Sequence, residues 1–176
     1  MLSLSANFQK LGDFKEIQNF VDNATAQVLV GYLSGKQHTP TIHGRQVENG
    51  KATYKGYNGE ENPQDIKPME LAELAKVLTF GSATIPARPF IEEGLLSKKG
   101  ELSKEIKKQL DLIKDDKTPN WNKVGTKAVA AVQEFVRGDY YKSTIPNSQT
   151  TIDYKGSDTP LIDGADLINS LEYVIE

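Results

Sequence analysis

No helix can pass through residues 80–90 of this chain. The stretch reads Phe80-Gly81-Ser82-Ala83-Thr84-Ile85-Pro86-Ala87-Arg88-Pro89-Phe90. It has a glycine at its start and two prolines, each of which fixes φ and removes a backbone donor. Pro86 pushes Ile85, and Pro89 pushes Arg88, toward extended backbone. Helical periodicity leads in and out. Leu71, Leu74, Ala75 and Leu78 fall at i, i+3, i+4 and i+7 over Met69–Thr79, one face of a helix. Gly81 suits the position just past a helix C-terminus. Pro89 suits the first turn of the next helix, expected from Phe90 to about Leu96. Two readings of the elbow follow. In the first, Phe80, Ile85 and Phe90 plug the core and Arg88 caps the C-terminal carbonyls of a neighbouring helix; the residues alone favour this one. In the second, the stiff neighbours hold Arg88, the elbow's only charged group, outward on a rigid assembly surface. There its guanidinium would bind a partner's carboxylate through two parallel hydrogen bonds.

A chain of 176 residues is long enough for one domain with a sizeable core. Its 38% apolar content and mean hydropathy of −0.49 predict that part of it is exposed loop or arm. A formal charge of −3 disfavours a general nucleic-acid binder, which carries a basic excess. The absence of cysteine excludes disulfides, thiolate chemistry and cysteine-based metal sites. No apolar run approaches the ~20 residues needed to span a bilayer. The first six residues lack a basic start and a long enough apolar core for a signal peptide, so synthesis in the cytosol is expected.

Asp13-Phe14-Lys15-Glu16 has capping-box spacing, and Phe14, Ile17, Val21 and Ala24 follow at helical intervals. A first helix is expected from about 12 to 24. Gln27–Leu33 is a short β-rich run with apolar residues on both faces, a strand buried on both sides or paired across an interface. Residues 35–67 are polar and poor in aliphatics, which predicts a projecting arm or hairpin. Glu48-Asn49-Gly50 is its turn signal, with Ile42–Val47 and Lys51–Tyr57 as the two sides. His38 and His43 lie here and read as exposed loop histidines; a metal pair is the alternative, without a third ligand at matching spacing.

Beyond the elbow, Ser97–Gly100 interrupts the helical pattern. Ser103 can cap a continuation whose face is Leu102, Ile106, Leu110 and Ile113. Lys98, Lys99, Lys104, Lys107 and Lys108 make this region basic, a solvated face balanced by Glu101 and Glu105. Thr118-Pro119 is expected to start a helix with Trp121, Val124, Ala128, Ala131, Val132 and Phe135 on one stripe, ending near Gly138. Ala128, Ala130 and Ala131 keep it slim enough for another helix to approach. Residues 139–157 are polar. Asp163 can cap a short turn through Ile168, and Leu171–Ile175 reads as a closing strand with Leu171, Tyr173 and Ile175 on one face. The expected fold is α+β: a small, mostly antiparallel or mixed sheet packed by three to four helices, in one domain over 1–176.

Catalytic patterns are missing from the sequence. It contains no phosphate-binding glycine loop, no nucleophile elbow and no paired zinc histidines on a helix. Asp115-Asp116 and Glu60-Glu61 are adjacent carboxylates of the kind that sit exposed at helix ends or in loops. The residues predict no enzyme, no cofactor and no metal site.

Two stretches together resemble a known family. Leu78–Phe90 looks like the E-F-G-T…I-P-A-R-P-F-L signature of tailed-phage tail completion and neck proteins, among them the Mu-type virion morphogenesis and lambdoid tail completion proteins. Thr151–Leu171, with Lys155-Gly156-Ser157 and Pro160-Leu161-Ile162-Asp163-Gly164, is similar to their T-I…K-G-S…P-L-I-D-T-G-x-L-x-x-S-I pattern. The chain departs from the family at Thr79, where an acidic residue is usual, and after Asp163, where the threonine is missing. The resemblance implies a structural virion protein without catalytic residues, made in the host cytoplasm. It would form a homo-oligomeric ring, expected to be a hexamer, in the neck. Its partners would be the head connector or adaptor and the tail terminator or tail tube proteins. DNA would pass through without specific binding, and no membrane is involved. The implied assembly interface comprises Phe80, Gly81, Ile85, Pro86, Arg88, Pro89, Phe90, Leu161, Asp163 and Gly164. A tail terminator or minor tail protein is an alternative. A small-ligand or metal-binding domain using His38 and His43 is an alternative of another class, and DNA binding through the lysines near 98–108 is a weaker one.

Overall fold

A computed structural model describes residues 26–33, 35–38, 41–42, 45–46, 51–55, 61–65, 69–163 and 165–176, with backbone alone for the strands between 41 and 65. The expected helix at 12–24, His43, the Asn49-Gly50 turn and Gly164 lie outside these residues. The fold is α+β. The described strands are β1 (Val28–Gly31), β2 (Gln37–His38), β3 (Thr41–Ile42), β4 (Arg45–Gln46), β5 (Lys51–Lys55), β6 (Glu61–Asp65), β7 (Met69–Glu70) and β8 (Glu172–Ile175). The described helices are α1 (Leu71–Phe80), α2 (Phe90–Ser97), α3 (Lys99–Lys114), α4 (Trp121–Arg137), α5 (Tyr140–Thr144), α6 (Gln149–Lys155) and α7 (Asp166–Asn169). Four of these helices have eight residues or more, and three are shorter. All strand pairs are antiparallel: β1 with β8, β2 with β7, β3 with β4 and β5 with β6.

Helix α4 is the axis of the core. Val124, Ala128, Ala131, Val132 and Val136 are buried along it, the 3.6-residue stripe that its sequence predicts. Trp121 and Phe135 are only half-buried. Helix α2 crosses it at Gly94. A Cβ built there would lie 2.8 Å from Val132 Cα, so this contact exists because the residue is glycine. The β1–β8 ribbon covers a further side of α4, and the Tyr173 ring fills the space that a Gly125 side chain would need. The core continues through Leu71, Ala75, Phe90, Tyr141, Leu161, Leu167, Ile168 and Leu171.

Several expectations need correction. The β1–β8 ribbon is not buried on both faces: Leu29 and Val174, opposite each other in register, are exposed. Strand β5 pairs with β6 rather than across Asn49-Gly50, with Lys51 opposite Asp65 and Lys55 opposite Glu61. The sequence between β5 and β6 contains a second Asn-Gly pair, Asn58-Gly59. Pro63 sits within β6, a position that suits an edge strand. Helix α3 begins at Lys99, so Gly100 lies inside it and Ser103 caps nothing. Helix α4 begins at Trp121 with Asn120 at its N-cap, two residues later than Thr118-Pro119 suggested. Residues 139–157, read only as polar, hold α5 and α6. The local signals for α6 were present: the Ser148 hydroxyl accepts from the Thr151 N–H at 3.2 Å, and Gly156 ends the helix at φ 66°.

The buried line on α3 is the largest surprise. Its inward positions are Glu105, Gln109 and Ile113, whereas Leu102, Ile106 and Leu110 are half-buried. Gln109, 0% exposed, donates from Nε2 to Glu105 Oε1 at 2.7 Å. Its own Oε1 accepts the Asn120 N–H at 2.8 Å. Lys127 of α4 donates to Glu105 Oε2 at 2.6 Å. These bonds hold the Glu105 carboxyl below the usual carboxylate range, the Lys127 bond contributing most. They also satisfy the backbone donor at the start of α4, which has no side-chain cap of its own.

Candidate functional site

The elbow closes on itself. Gly81 ends α1 at φ 74°, its N–H bonded to Val77 O at 2.8 Å. A side chain at Gly81 would meet Ile85 O at 2.7 Å and Ala87 N at 2.8 Å. The Ser82 N–H donates to Ile85 O at 2.8 Å and the Arg88 N–H to Leu78 O at 2.7 Å. The Ser82 hydroxyl accepts from the N–H groups of Thr84 and Ile85 at 3.3 and 3.1 Å. Together with Pro86 and Pro89, these bonds fix the path of the segment.

Arg88 is not held outward. It is 5% exposed. Its Nε and Nη2 donate to Ile145 O at 3.1 and 2.9 Å, and Nη2 also donates to Pro146 O at 3.1 Å. Ile145 is the C-cap of α5, so Arg88 has the capping role that the residues alone favoured. A cation at carbonyls just past a helix end is placed where the helix field favours it. Tyr141 of α5 is buried beside it and donates to the Glu93 carboxylate of α2; burial, then this bond, pushes the phenol up. Of the three expected core plugs, Phe90 is 1% exposed and Ile85 half-buried, but Phe80 is 75% exposed. Helix α1 ends at Phe80, on the side away from its buried Leu71 and Ala75. The exposed surface of the elbow is therefore Phe80, Ser82, Ala83, Thr84, Pro86 and Ala87, with no charged side chain.

The second stretch folds against the first. Leu161 is buried, at φ 62°, and packs in one core with Phe90 and Leu171. Lys155 donates to Thr159 O at 2.8 Å. Burial pulls its ammonium down, with Asp163 opposing that effect and Arg88 adding to it. Asp163 faces His38: Asp163 Oδ2 lies 3.5 Å from Nε2, and Asp166 Oδ2 lies 3.3 Å from Nδ1. His38 is 8% exposed, which corrects its reading as an exposed loop residue. The sequence separations, more than 120 residues, hide this cluster from any motif. The two carboxylates stand at different ring nitrogens, so they do not converge on one point. Among the described residues, no group of three His, Asp or Glu side chains is placed to hold a metal.

On α3, Lys99, Lys104, Lys107 and Lys108 are exposed, while Lys98 pairs with Glu101 and Glu134. An open trough of about 330 Å³ runs between α4 and β8, lined in part by Thr126, Ala130 and Tyr173. No helix among the described residues is long and apolar enough to cross a membrane. No family model, no curated protein and no solved structure matches this chain.

Proposed function

We propose that this chain is a structural virion protein of a tailed bacteriophage, joining copies of itself into a ring in the neck between head connector and tail. The observation that carries this reading is the elbow. It is a rigid, uncharged knob with Phe80 three-quarters exposed at its base. An exposed aromatic on a fixed backbone loses little entropy when a partner covers it, which makes it suited to protein contact. The knob lies in the stretch that resembles the neck proteins, and the second resembling stretch packs into the same core behind it. The interface is therefore centred on Phe80 and the elbow tip. Arg88, Phe90 and Leu161 act from beneath as its support.

Phe80→Ser tests this directly. The exposed position predicts a change in unfolding free energy within about 0.5 kcal/mol. In particles built with the variant, tails are expected to fail to join heads, and the free chain should lose any ring seen by sedimentation. Joined, infectious particles carrying a folded Phe80→Ser chain would refute the reading.

A conduit for DNA must not hold it. The exposed lysines of α3 are accompanied by Glu101 and Asp111 on the same helix surface, and the whole chain carries more acidic than basic groups. Free protein is expected to bind duplex DNA no tighter than the non-specific range of about 10⁻⁴–10⁻⁶ M at physiological salt. Fluorescence anisotropy across a salt series measures this. Tighter binding, abolished by replacing Lys104, Lys107 and Lys108, would overturn the passive conduit.

A further inference from the structure

We propose that His38 is a proton-operated latch that holds the β2–β7 ladder onto the C-terminal turn. The position of His38 in the fold is specific. It lies in β2, whose partner β7 brings the chain back at Met69 and Glu70. This two-residue ladder closes the base of everything between 39 and 68. Leu71 N–H adds a bond to Lys36 O at 2.9 Å. The ring then reaches across to Asp163 and Asp166, at the entrance to α7. The same turn is held from just beyond β1 by the Tyr32 hydroxyl, which donates to Leu167 O at 2.8 Å. Lys36 pairs with Glu172 of β8. Tyr32, Lys36 and His38 thus add polar ties to the C-terminal residues beside the apolar packing of Leu71 with Leu167 and Leu171, and His38 is the most buried of the charged groups among them.

The imidazole's charge decides whether its two contacts attract. With both ring nitrogens protonated, each faces a carboxylate with a proton to donate, two charge-assisted contacts to a buried imidazole from partly exposed carboxylates. Loss of one proton leaves a lone pair aimed at a carboxylate oxygen, which is repulsive. Lys155 also lies in electrostatic reach of Asp163. Nearby, Glu70 of β7 is exposed and Glu172 is paired with Lys36. The bond to Asp163 is the largest influence on His38 and raises its pKa above the ordinary 6.5; burial opposes this and Asp166 adds to it. A folded-state value above the unfolded one means that the latch contributes fully below about pH 6.5. Its contribution is lost as pH rises through the folded value.

The latch stands independently of any virion role. It is tested by NMR on the intact chain from about pH 5.5 to 8.5, the window in which histidine titrates. The His38 ring resonances are expected to titrate above 6.5. Amide protection factors of Leu71 and of the β2–β7 ladder are expected to fall above that point, by up to about tenfold per pH unit. Those of Val132 in the core of α4 should stay higher throughout and fall by no more than the same factor. Asp166→Asn removes one carboxylate and should move the fall to lower pH. His38→Gln should remove it altogether. A His38 that titrates at or below 6.5, or an identical pH profile in His38→Gln, overturns the latch. If His38→Gln does not fold, an unshifted profile in Asp166→Asn overturns it equally.

Discussion

Arg88→Ala is expected to lower the unfolding free energy by about 2–4 kcal/mol, against a typical single-substitution loss near 1 kcal/mol. Three charge-assisted bonds to Ile145 O and Pro146 O disappear. Ile145 is half-buried and Pro146 exposed, so the main loss is of hydrogen bonds from a charged donor, worth about 1.5–3 kcal/mol. The side chain is also buried near Tyr141, so truncation leaves a cavity. Arg88→Lys should recover only part of the loss, since one ammonium cannot reproduce the fork that reaches two carbonyls at once. Urea unfolding measures the effect, with the midpoint falling at constant slope. A stable Arg88→Ala chain that fails only in assembly would restore the outward-facing role that the sequence also allowed.

Gly94→Ala should cost about 1–3 kcal/mol although it exchanges a poor helix former for the best one. In an open helix that exchange stabilises by about 0.5–1 kcal/mol. Here the new methyl meets Val132 Cα at 2.8 Å. That atom is backbone and cannot rotate away, so α2 must move off α4. Gly100→Ala is the internal control. Gly100 lies in α3 with nothing within 4 Å of a built Cβ, and its substitution should raise the melting temperature. If Gly94→Ala matches Gly100→Ala, the two helices do not approach as closely as described. Thermal unfolding of both variants decides it.

The sequence by itself determined those parts of the protein whose causes are local. Periodicity set α1, α2 and most of the α4 stripe, because a helix face that meets the core must repeat every 3.6 residues. Gly81, Pro86 and Pro89 imposed the elbow, because their backbone limits do not depend on neighbours. The closing strand followed from alternation, and the α+β class from the mixture. Errors arose where a residue's partner lies far along the chain. Arg88 had two readings, and only the position of Ile145 O chose between them. Phe80 was assigned inward on hydrophobicity alone, yet α1 ends with that side chain on its open side. Glu105 read as a balancing charge on a solvated helix face, and Gln109 carried no signal of its own. They are buried because Asn120 N–H and Lys127 come from the next helix to meet them, and a buried polar group is tolerated only when such partners arrive. His38 reads as a loop histidine until the fold brings Asp163 and Asp166 to its two nitrogens. No spacing rule covers a separation of more than 120 residues; tertiary structure alone decides which charges become neighbours, and so which groups titrate away from their ordinary range.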